Sequence, residues 1–173
     1  MNAHVSFKPI LTLEEIEICV QIAQRCWQAH YPAIIGQNQV DYMLESLQSA
    51  AVINQQIAQG RQYFLICQYE RTMGYLALDE IAEHLTVFIS KFYVLPESQK
   101  SGIGAASLAL LHARYPQCIF KLTVNKHNDS AIAFYQAQGF RITVECVTDI
   151  GNGFVMDDYE MACFAKERNT QPS

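Results

Sequence analysis

The sequence predicts an α/β (α+β) protein, and three observations lead to this class. The chain has 173 residues, half of them hydrophobic and 17% charged, which suits a globular domain with a substantial core. Its N-terminal third carries apolar residues at helical spacing. After that third, runs that alternate every second residue, as strands do, are interleaved with further helical segments.

The N-terminal third predicts a short strand, "HVSFKPI", followed by two helical regions. The segment "TLEE" has the pattern of a capping box, so the first helix is expected from about Thr12 to His30, with Pro32 marking its end. "QVDYMLESLQSAAVINQQIAQG" predicts a second helical region that Gly60 closes. The apolar segment between them, "HYPAIIGQ", is expected to be a packed connector or to line a substrate pocket.

The middle of the chain predicts three strands. "QYFLICQYE" and "TMGYLALDE" flank Glu70-Arg71 and form a hairpin by pattern. "LTVFISKFYVL" is a longer strand, Leu85–Leu95, rich in β-branched and aromatic residues, and Pro96 ends it.

The last third predicts two helices and three strands. "SGIGAASLALLHARY" is a helix that stops before Pro116, and "IFKLTVN" is a strand with alternating apolar and polar faces. "DSAIAFYQAQG" is a short helix with Asn128 or Asp129 as N-cap and Gly139 after its end. "FRITVECVTDI" and "FVMDDYEMACFA" are the final strands. We therefore expect one domain over residues 1–173, with a polar tail from about residue 166.

Charge and cysteine content exclude several classes of function. The net charge is −5 and no Lys/Arg cluster occurs, which argues against nucleic-acid binding and suits a cationic partner. None of the six cysteines lies in a C-x-x-C pair, so we expect thiols packed in the core of a protein in a reducing cytoplasm, and no metal site. The N-terminus lacks the pattern of a signal peptide, and the apolar runs are too short to span a bilayer, so no membrane association is expected.

Two glycines stand between the long strand and the helix that follows it, in "PESQKSGIGAASLALL". Unpaired N–H groups and the helix dipole favour an anion at a helix start, and glycine lets a ligand approach the backbone closely. Gln99-x-x-Gly102-x-Gly104 therefore fits a phosphate site, although glycines at this place also occur in simple turns. The segment is not a P-loop, and the next strand ends in Asn125 rather than the acidic residue of a dinucleotide fingerprint.

Two segments together resemble the signature segments of the GNAT-type N-acetyltransferase superfamily. "FYVLPESQKSGIGAASLALL" matches that family's strand, Q/R-x-x-G-x-G/A loop and helix, and "LTVNKHNDSAIAFYQAQGF" matches its strand, Asn-containing helix start and F-Y-x-x-x-G-F ending. The neighbouring elements fit in order and number, so the resemblance covers nearly the whole chain. The C-terminal "DIGNGFVMDDYEMACFAK" is loosely similar to bacterial spermidine/spermine-type acetyltransferases.

The resemblance implies a mixed, mostly antiparallel central sheet with a splayed parallel strand pair, flanked by helices on both faces. Acetyl-CoA would lie in the splay as the cofactor. The residues that would bind it are Tyr93, Val94, Gln99, Lys100, Ser101, Gly102, Ile103, Gly104, Ala105, Asn125, Asn128 and Ser130.

Tyr135 matches the general acid of this superfamily, which protonates or hydrogen-bonds the leaving thiolate of coenzyme A. The alternative is a tyrosine that only packs against Phe134 or Phe140. The family's usual route is direct attack of an amine on the thioester in a ternary complex, and none of the six cysteines stands out as an acyl carrier. Many members dimerise, so a homodimer remains open.

The general base departs from the pattern of the superfamily. Many relatives carry a glutamate upstream of the position of Val94, whereas the strand phase aligned on Val94 contains Phe88, Ser90 and Phe92. A water chain could carry the proton of the amine to Asp79, Glu80 or His84, or His30 or Tyr31 could take it directly. The alternative for each of these residues is a solvated or packing side chain.

The acceptor is expected to be a small amine. Its expected contacts are Trp27, Tyr31, Ile35 and Ser90. The acidic run Asp157, Asp158 and Glu160 would attract a polyamine, or it forms a charged turn and strand edge. The alternative functions are a non-catalytic acyl-CoA sensor and, less favoured, a dinucleotide-binding module.

Overall fold

A computed structural model of the protein describes residues 3–164. These residues form one seven-stranded sheet in the order β1-β2-β3-β4-β5-β7-β6. The strands are β1 Ser6–Pro9, β2 Gln62–Gln68, β3 Arg71–Ile81, β4 Thr86–Val94, β5 Ile119–Asn125, β6 Arg141–Gly151 and β7 Phe154–Cys163. The helices are α1 Leu13–His30, α2 Pro32–Ile35, α3 Gln37–Leu47, α4 Ala50–Ala58, α5 Ile103–Arg114 and α6 Asp129–Ala137. The expected polar tail lies outside the described residues.

The N-terminal helices begin as the sequence predicts but are divided more finely. Thr12 caps α1, and the side chain of Glu15 returns to the backbone of Thr12, which completes the capping box. The expected connector contains the short helix α2, which starts at Pro32. The expected second helical region is two helices, because Ser49 caps α4 through the N–H of Val52 and separates it from α3.

The sheet contains a single parallel pair within the described residues, β4 with β5, and its other pairs are antiparallel. β4 and β5 pair only where Thr86–Phe88 meets Ile119–Lys121. Beyond these residues β4 continues to Val94 and β5 continues to Asn125, but the two strands no longer pair with each other. We call this opening the splay. The predicted fold class, a mostly antiparallel sheet with a splayed parallel pair and helices on both faces, is confirmed.

Two hydrophobic clusters cover the two faces of the sheet. One contains Ile103, Leu108 and Leu111 of α5 packed on β3, β4, β5 and β7. The other packs α1, α3 and α4 on Tyr63 and Tyr75 of β2 and β3. Both clusters bury apolar side chains of the sheet, so helices cover it on each face.

A β-bulge changes the phase of β4 in the splay. Ala77 lies opposite Lys91 but Leu78 lies opposite Ile89, so Ser90 is the extra residue. Ile89 and Phe92 consequently pack in the same cluster with α5, while Lys91 faces α1 and α3. The expected phase, which placed Phe88 and Ser90 on the face of Val94, is therefore wrong. Regular alternation cannot reveal a bulge.

The β6–β7 hairpin leans on the N-terminal helices. The hydroxyl of Tyr42 in α3 donates to the carbonyl of Ile150 at 2.6 Å, and its ring lies 5.3 Å from that of Phe154. Gln39 donates to the carbonyl of Val155 at 2.7 Å. These contacts join α3 to the β6–β7 hairpin. No helix among residues 3–164 is long and apolar enough to cross a membrane.

Candidate active site

Three tyrosines from three elements meet at the splay. Tyr93 comes from β4, Tyr135 from α6, and Tyr31 directly follows α1. Each is half-buried, and burial raises the pKa of all three phenols above the ordinary value. Tyr31 is close enough to raise further the pKa of both Tyr93 and Tyr135. The three phenols therefore stay neutral throughout the physiological range, and the hydroxyl of Tyr93 accepts from the side chain of Gln48 at 3.3 Å.

Tyr135 is held by its ring and not by its hydroxyl. Its ring contacts those of Phe134 and Phe140 edge-on, with centroids 5.3 Å and 5.5 Å apart. Among the described residues, none forms a hydrogen bond with the hydroxyl of Tyr135. A positioned ring with a free, protonated hydroxyl can donate to a ligand in the splay.

The loop after β4 presents a run of free backbone N–H groups. Within residues 3–164, no hydrogen bond is donated by the backbone of the six residues from Lys100 to Ala105. The last three of these N–H groups open α5, where a helix has no internal partners for them. The run lies just past the C-terminal end of β4, at the open end of the splay. Such an array suits the oxygens of a phosphate.

The two glycines of this loop have different structural reasons. Gly102 is the residue before α5 and has φ +85°, a conformation that other residues rarely adopt. Gly104 lies inside α5, where a Cβ would stand 3.0 Å from the ring of Phe134. Gly102 therefore shapes the loop, and Gly104 allows α5 and α6 to pack closely.

The other predicted cofactor residues of this loop make local contacts. The side chain of Gln99 donates to the carbonyl of Val94 at 3.0 Å, and the thiol of Cys26 donates to the same oxygen at 3.4 Å. The hydroxyl of Ser101 donates to the carbonyl of Ser98. Lys100 is exposed with φ 59°. A ligand amide that donated to the carbonyl of Val94 would compete with both Gln99 and Cys26.

The predicted polar residues after β5 organise a turn. Asn125 accepts from the N–H of His127 at 2.9 Å. Asn128 caps α6 by accepting from the N–H of Ala131 at 3.3 Å, as the sequence predicts for one of the two candidate caps. Ser130 is exposed, and its hydroxyl donates to the side-chain oxygen of Asn128 at 3.3 Å.

Three of the four predicted acceptor residues gather beside the splay. Trp27 is buried and stacks on Tyr31 with ring centroids 4.6 Å apart. Ile35 of α2 packs in the same cluster. Ser90 is separate from them. It is the bulge residue, two positions after Phe88, where pairing with β5 ends, and its hydroxyl donates to the carbonyl of Ala77 at 3.4 Å.

The carboxylates considered as bases from the sequence lie at the closed end of the splay. Asp79 is opposite Phe88 in the sheet and binds Arg61 through both oxygens. Glu80 accepts from Gln62 and Tyr115. Neither of these two carboxylates lies at the open end of the splay.

Sequence reasoning did not single out Asp158, which the structure places near the open end. This residue is directly opposite Asn125 in the sheet and is only 7% exposed. Its burial depends on neighbours in two other strands, so nothing in the acidic run itself distinguishes it from Asp157. Among the described residues, no three His, Cys, Asp or Glu side chains form a group able to hold a metal ion.

Comparison with known proteins agrees with this architecture. The model of the Acetyltransferase (GNAT) family matches residues 18–140, more than half of the chain. The peptidyl-lysine N-acetyltransferase YiaC of Escherichia coli K12 is 41% identical over 59 residues. That match covers 34% of this chain and 38% of YiaC, so the chain spans well under half of this relative's length.

Solved structures share the fold at low identity. The PaiA N-acetyltransferase of Thermoplasma acidophilum, in complex with coenzyme A, superposes with a TM-score of 0.74 at 17% identity, covering 93% of this chain and 99% of that chain. The ribosomal-protein-S18-alanine N-acetyltransferase of Escherichia coli gives 0.68 at 16% identity, with 98% and 99% covered. A spermidine N-acetyltransferase SpeG chimera from Vibrio cholerae and hSSAT gives 0.67 at 16% identity, with 93% and 95% covered. With the family model matching most of its length, the chain belongs to the acetyltransferase (GNAT) family.

Proposed function

We propose that the protein transfers the acetyl group of acetyl-CoA to a primary amine of a small molecule, by direct attack in a ternary complex. The observation that carries the proposal is the conjunction of the splay with the six free N–H groups from Lys100 to Ala105. The splay accepts an extended arm between two strands, and the N–H groups accept the phosphates at one end of it.

As a member of this family, the protein uses acetyl-CoA as its acetyl donor. The pyrophosphate would accept hydrogen bonds from the loop before α5, and the pantetheine arm would follow Tyr93 and Val94 along β4. Asn125, Asn128 and Ser130 would lie on the side of β5. This arrangement brings the thioester beside the tyrosines of the splay.

Tyr135 would act as the general acid. When the amine nitrogen attacks, the C–S bond breaks and the sulfur of coenzyme A develops negative charge. The free hydroxyl of Tyr135 can donate its proton to this sulfur, because a neutral phenol is present throughout the physiological range. The ring contacts with Phe134 and Phe140 fix the direction of the hydroxyl.

The acceptor would enter past Trp27, Tyr31 and Ile35. These side chains offer aromatic and aliphatic surface that suits an amine with an apolar body. A polyamine is less well supported, because Asp157 pairs with Lys126 and Glu160 with Lys121. YiaC and the S18-alanine enzyme are named for peptide and protein acceptors, so peptides belong among the acceptors to test. The homodimer and the cytoplasmic location stay predictions.

The test is a panel of amines and peptides scored by thiol release from acetyl-CoA. Thermal shifts with acetyl-CoA, coenzyme A, NAD and ATP would run in parallel, because only a ligand of the native state raises the melting temperature. Turnover of at least one amine, with stabilisation by acetyl-CoA and coenzyme A, is expected. Stabilisation without turnover of any amine would favour the acyl-CoA sensor. Stabilisation by NAD alone would favour the dinucleotide module.

A further inference from the structure

We infer that the carboxylate of Asp158 binds the ammonium group of the acceptor and takes its proton before attack. This inference rests on the proposed function and names a base for it. It also limits the acceptor to an amine that arrives as a cation and places one charge at the reacting end.

Asp158 lies on the same face of the sheet as the expected acceptor residues. Asp158 is directly opposite Asn125 of β5 and Cys146 of β6, so all three side chains lie on one face of the sheet. This face is the one opposite α5 and α6, since the alternate residues Val124 and Tyr159 pack with those helices. It is therefore the face on which Tyr31 and the expected acceptor residues lie.

The carboxylate of Asp158 has no partner in the described part of the chain. The residue is 7% exposed, and no hydrogen bond or ion pair among residues 3–164 reaches its side-chain oxygens. These oxygens are not among the fully enclosed unpaired atoms, so they border space that a ligand can reach. A largely desolvated carboxylate without donors costs free energy unless a partner arrives. A protonated amine supplies both the positive charge and the N–H donors that are lacking.

The neighbouring acidic residues, unlike Asp158, all have a lysine partner. Asp157 and Glu145 both bind Lys126, at 2.8 Å and 3.0 Å. Glu160 binds Lys121 at 3.2 Å. The cations of this region are thus taken up by other carboxylates, and Asp158 is left for a ligand.

Charged and titratable groups from several elements surround Asp158. They are Tyr31 after α1, Lys126 in the turn after β5, Cys146 of β6, and Asp157 and Glu160 of β7 itself. Burial, with a further contribution from Asp157 and an opposing one from Lys126, raises the pKa of Asp158 to about 6. At neutral pH the group is ionised, and its basicity is higher than that of an exposed aspartate.

The position also connects Asp158 with the acid. Its charge raises the pKa of Tyr31, and Tyr31 in turn raises that of Tyr135. These effects place Tyr31 near both Asp158 and Tyr135. The side-chain amide of Asn128 donates to the hydroxyl of Tyr31 at 3.2 Å and holds it in this position.

The proton balance of the step is complete. The ammonium gives one proton to the carboxylate of Asp158, and the neutral nitrogen then forms the C–N bond to the acetyl carbonyl. The C–S bond breaks, and Tyr135 gives its proton to the sulfur. The amide nitrogen loses its second proton, which restores Tyr135 through the solvent, and Asp158 releases its own proton to the bulk. The net reaction converts ammonium and acetyl-CoA into amide, coenzyme A and one proton.

The test compares an alkylamine with its fluorinated analogue, which is so weakly basic that it is already neutral near pH 7. Asp158→Asn keeps the shape of the side chain and should lower kcat/KM for the alkylamine by roughly 10²-fold, the lower end for a positioned base. It should change kcat/KM for the fluorinated amine little, because that acceptor needs no base. Asp149→Asn is the matched control, since Asp149 is an exposed aspartate of the neighbouring strand β6 whose side chain, among the described residues, accepts only from the N–H of Gly151, and it should leave both values within about threefold.

The pH profile gives a second readout. For the wild type with the alkylamine, kcat/KM should rise through the pKa of Asp158 and then level off. For Asp158→Asn it should continue to rise up to the pKa of the amine itself. If Asp158→Asn fails to fold, the wild-type profiles of the two amines carry the test, because the step assigned to Asp158 should be present only with the alkylamine.

The experiment distinguishes failure of this inference from failure of the proposed function. A folded Asp158→Asn variant with an unchanged profile and unchanged kcat/KM for the alkylamine would overturn this inference alone. Absence of turnover by the wild type with either amine, while acetyl-CoA binds, would overturn the proposed function and this inference with it.

Discussion

The side-chain amide of Asn128 donates a hydrogen bond to the hydroxyl of Tyr31 at 3.2 Å, across 97 positions of the chain. Tyr31 ends α1 on one face of the sheet, and Asn128 begins α6 on the other. The bond therefore passes the open end of the splay and joins the helices of both faces. It ties the end of α1, beside the expected acceptor residues, to the start of α6, beside the expected cofactor site.

The first prediction concerns this bond. Tyr31→Phe should lower the free energy of unfolding by about 1 kcal/mol, the usual net value of a hydrogen bond. Asn128→Ser should lower it by a similar amount, because serine still caps α6 but cannot reach Tyr31. In a double-mutant cycle by urea denaturation, the two changes should cost less together than the sum of the single changes. Strict additivity would show that the bond contributes no stability.

The second prediction concerns the loop before α5. Gly102→Val should abolish binding of coenzyme A in calorimetry, because the branched side chain disturbs the N–H groups and stands where the ligand approaches. The positive φ of Gly102 adds a strain of about 1–2 kcal/mol to the same variant. The loss of binding should therefore come with a moderate loss of stability and not with unfolding.

Gly60 provides the control for that strain. It has φ +101° with open space around the position of a Cβ, and it precedes β2 at the end of the sheet away from the loop. Gly60→Val should lose a similar amount of stability and keep its affinity for coenzyme A. Equal affinity of both valine variants would remove the loop from the cofactor site.

The sequence predicted the elements around the splay because their determinants are local. The capping box at Thr12, the cap at Asn128 and the alternation of β5 are each readable within a few residues. The fold class followed from their order and from the family resemblance, and it is confirmed. The predicted cofactor residues and Tyr135 lie around the splay, and their roles stay predictions.

The features that the sequence did not predict depend on pairing between distant segments. The bulge at Ser90 is visible only against Ala77 and Leu78 of β3. The burial of Asp158 depends on Asn125 and Cys146 in neighbouring strands, and its lack of a partner depends on where other cations go. Gly104 was predicted as a cofactor contact, and its close approach to the ring of Phe134 is a second, helix-packing reason for a glycine that depends on a distant residue. No local pattern encodes these relationships.

The third prediction concerns Lys91, a buried lysine next to the bulge. Its ammonium nitrogen donates to the carbonyl of Leu47 at 2.8 Å and lies 5.5 Å from the centre of the Tyr63 ring. Burial, with a further contribution from Arg61, lowers its pKa to about 7. Between that value and the pKa of 10.5 of an unperturbed lysine, the unfolded chain binds a proton that the native state does not. Lys91 therefore lowers the stability of the fold by its full amount below this window, and stability rises with pH across the window as that cost disappears.

Lys91→Met should remove this dependence. The variant should be more stable relative to the wild type at pH 6 than at pH 10, and the difference in unfolding free energy should narrow by up to about 1.4 kcal/mol per pH unit within the window. Urea denaturation of the wild type and the variant at several pH values measures this difference. The titration of other groups cancels in it, because those groups are the same in both proteins. A constant difference across the window would mean that Lys91 keeps its ordinary pKa.

The last prediction concerns Tyr135. Tyr135→Phe removes one oxygen and keeps the ring contacts with Phe134 and Phe140, and no hydrogen bond from a described residue is lost with it, so the melting temperature should change little. Affinity for acetyl-CoA should also hold within a few-fold, because the hydroxyl contributes mainly when the sulfur becomes anionic. Turnover of a confirmed amine should fall by roughly 10²–10⁴-fold, and by less if water replaces the hydroxyl as donor. Tyr115→Phe is the control, since its hydroxyl binds Glu80 at the far end of α5, and it should retain normal turnover. Near-normal turnover of Tyr135→Phe, under conditions where the chemical step limits the rate, would make Tyr135 a packing residue only and would leave Tyr31 and solvent as the remaining donors at the splay.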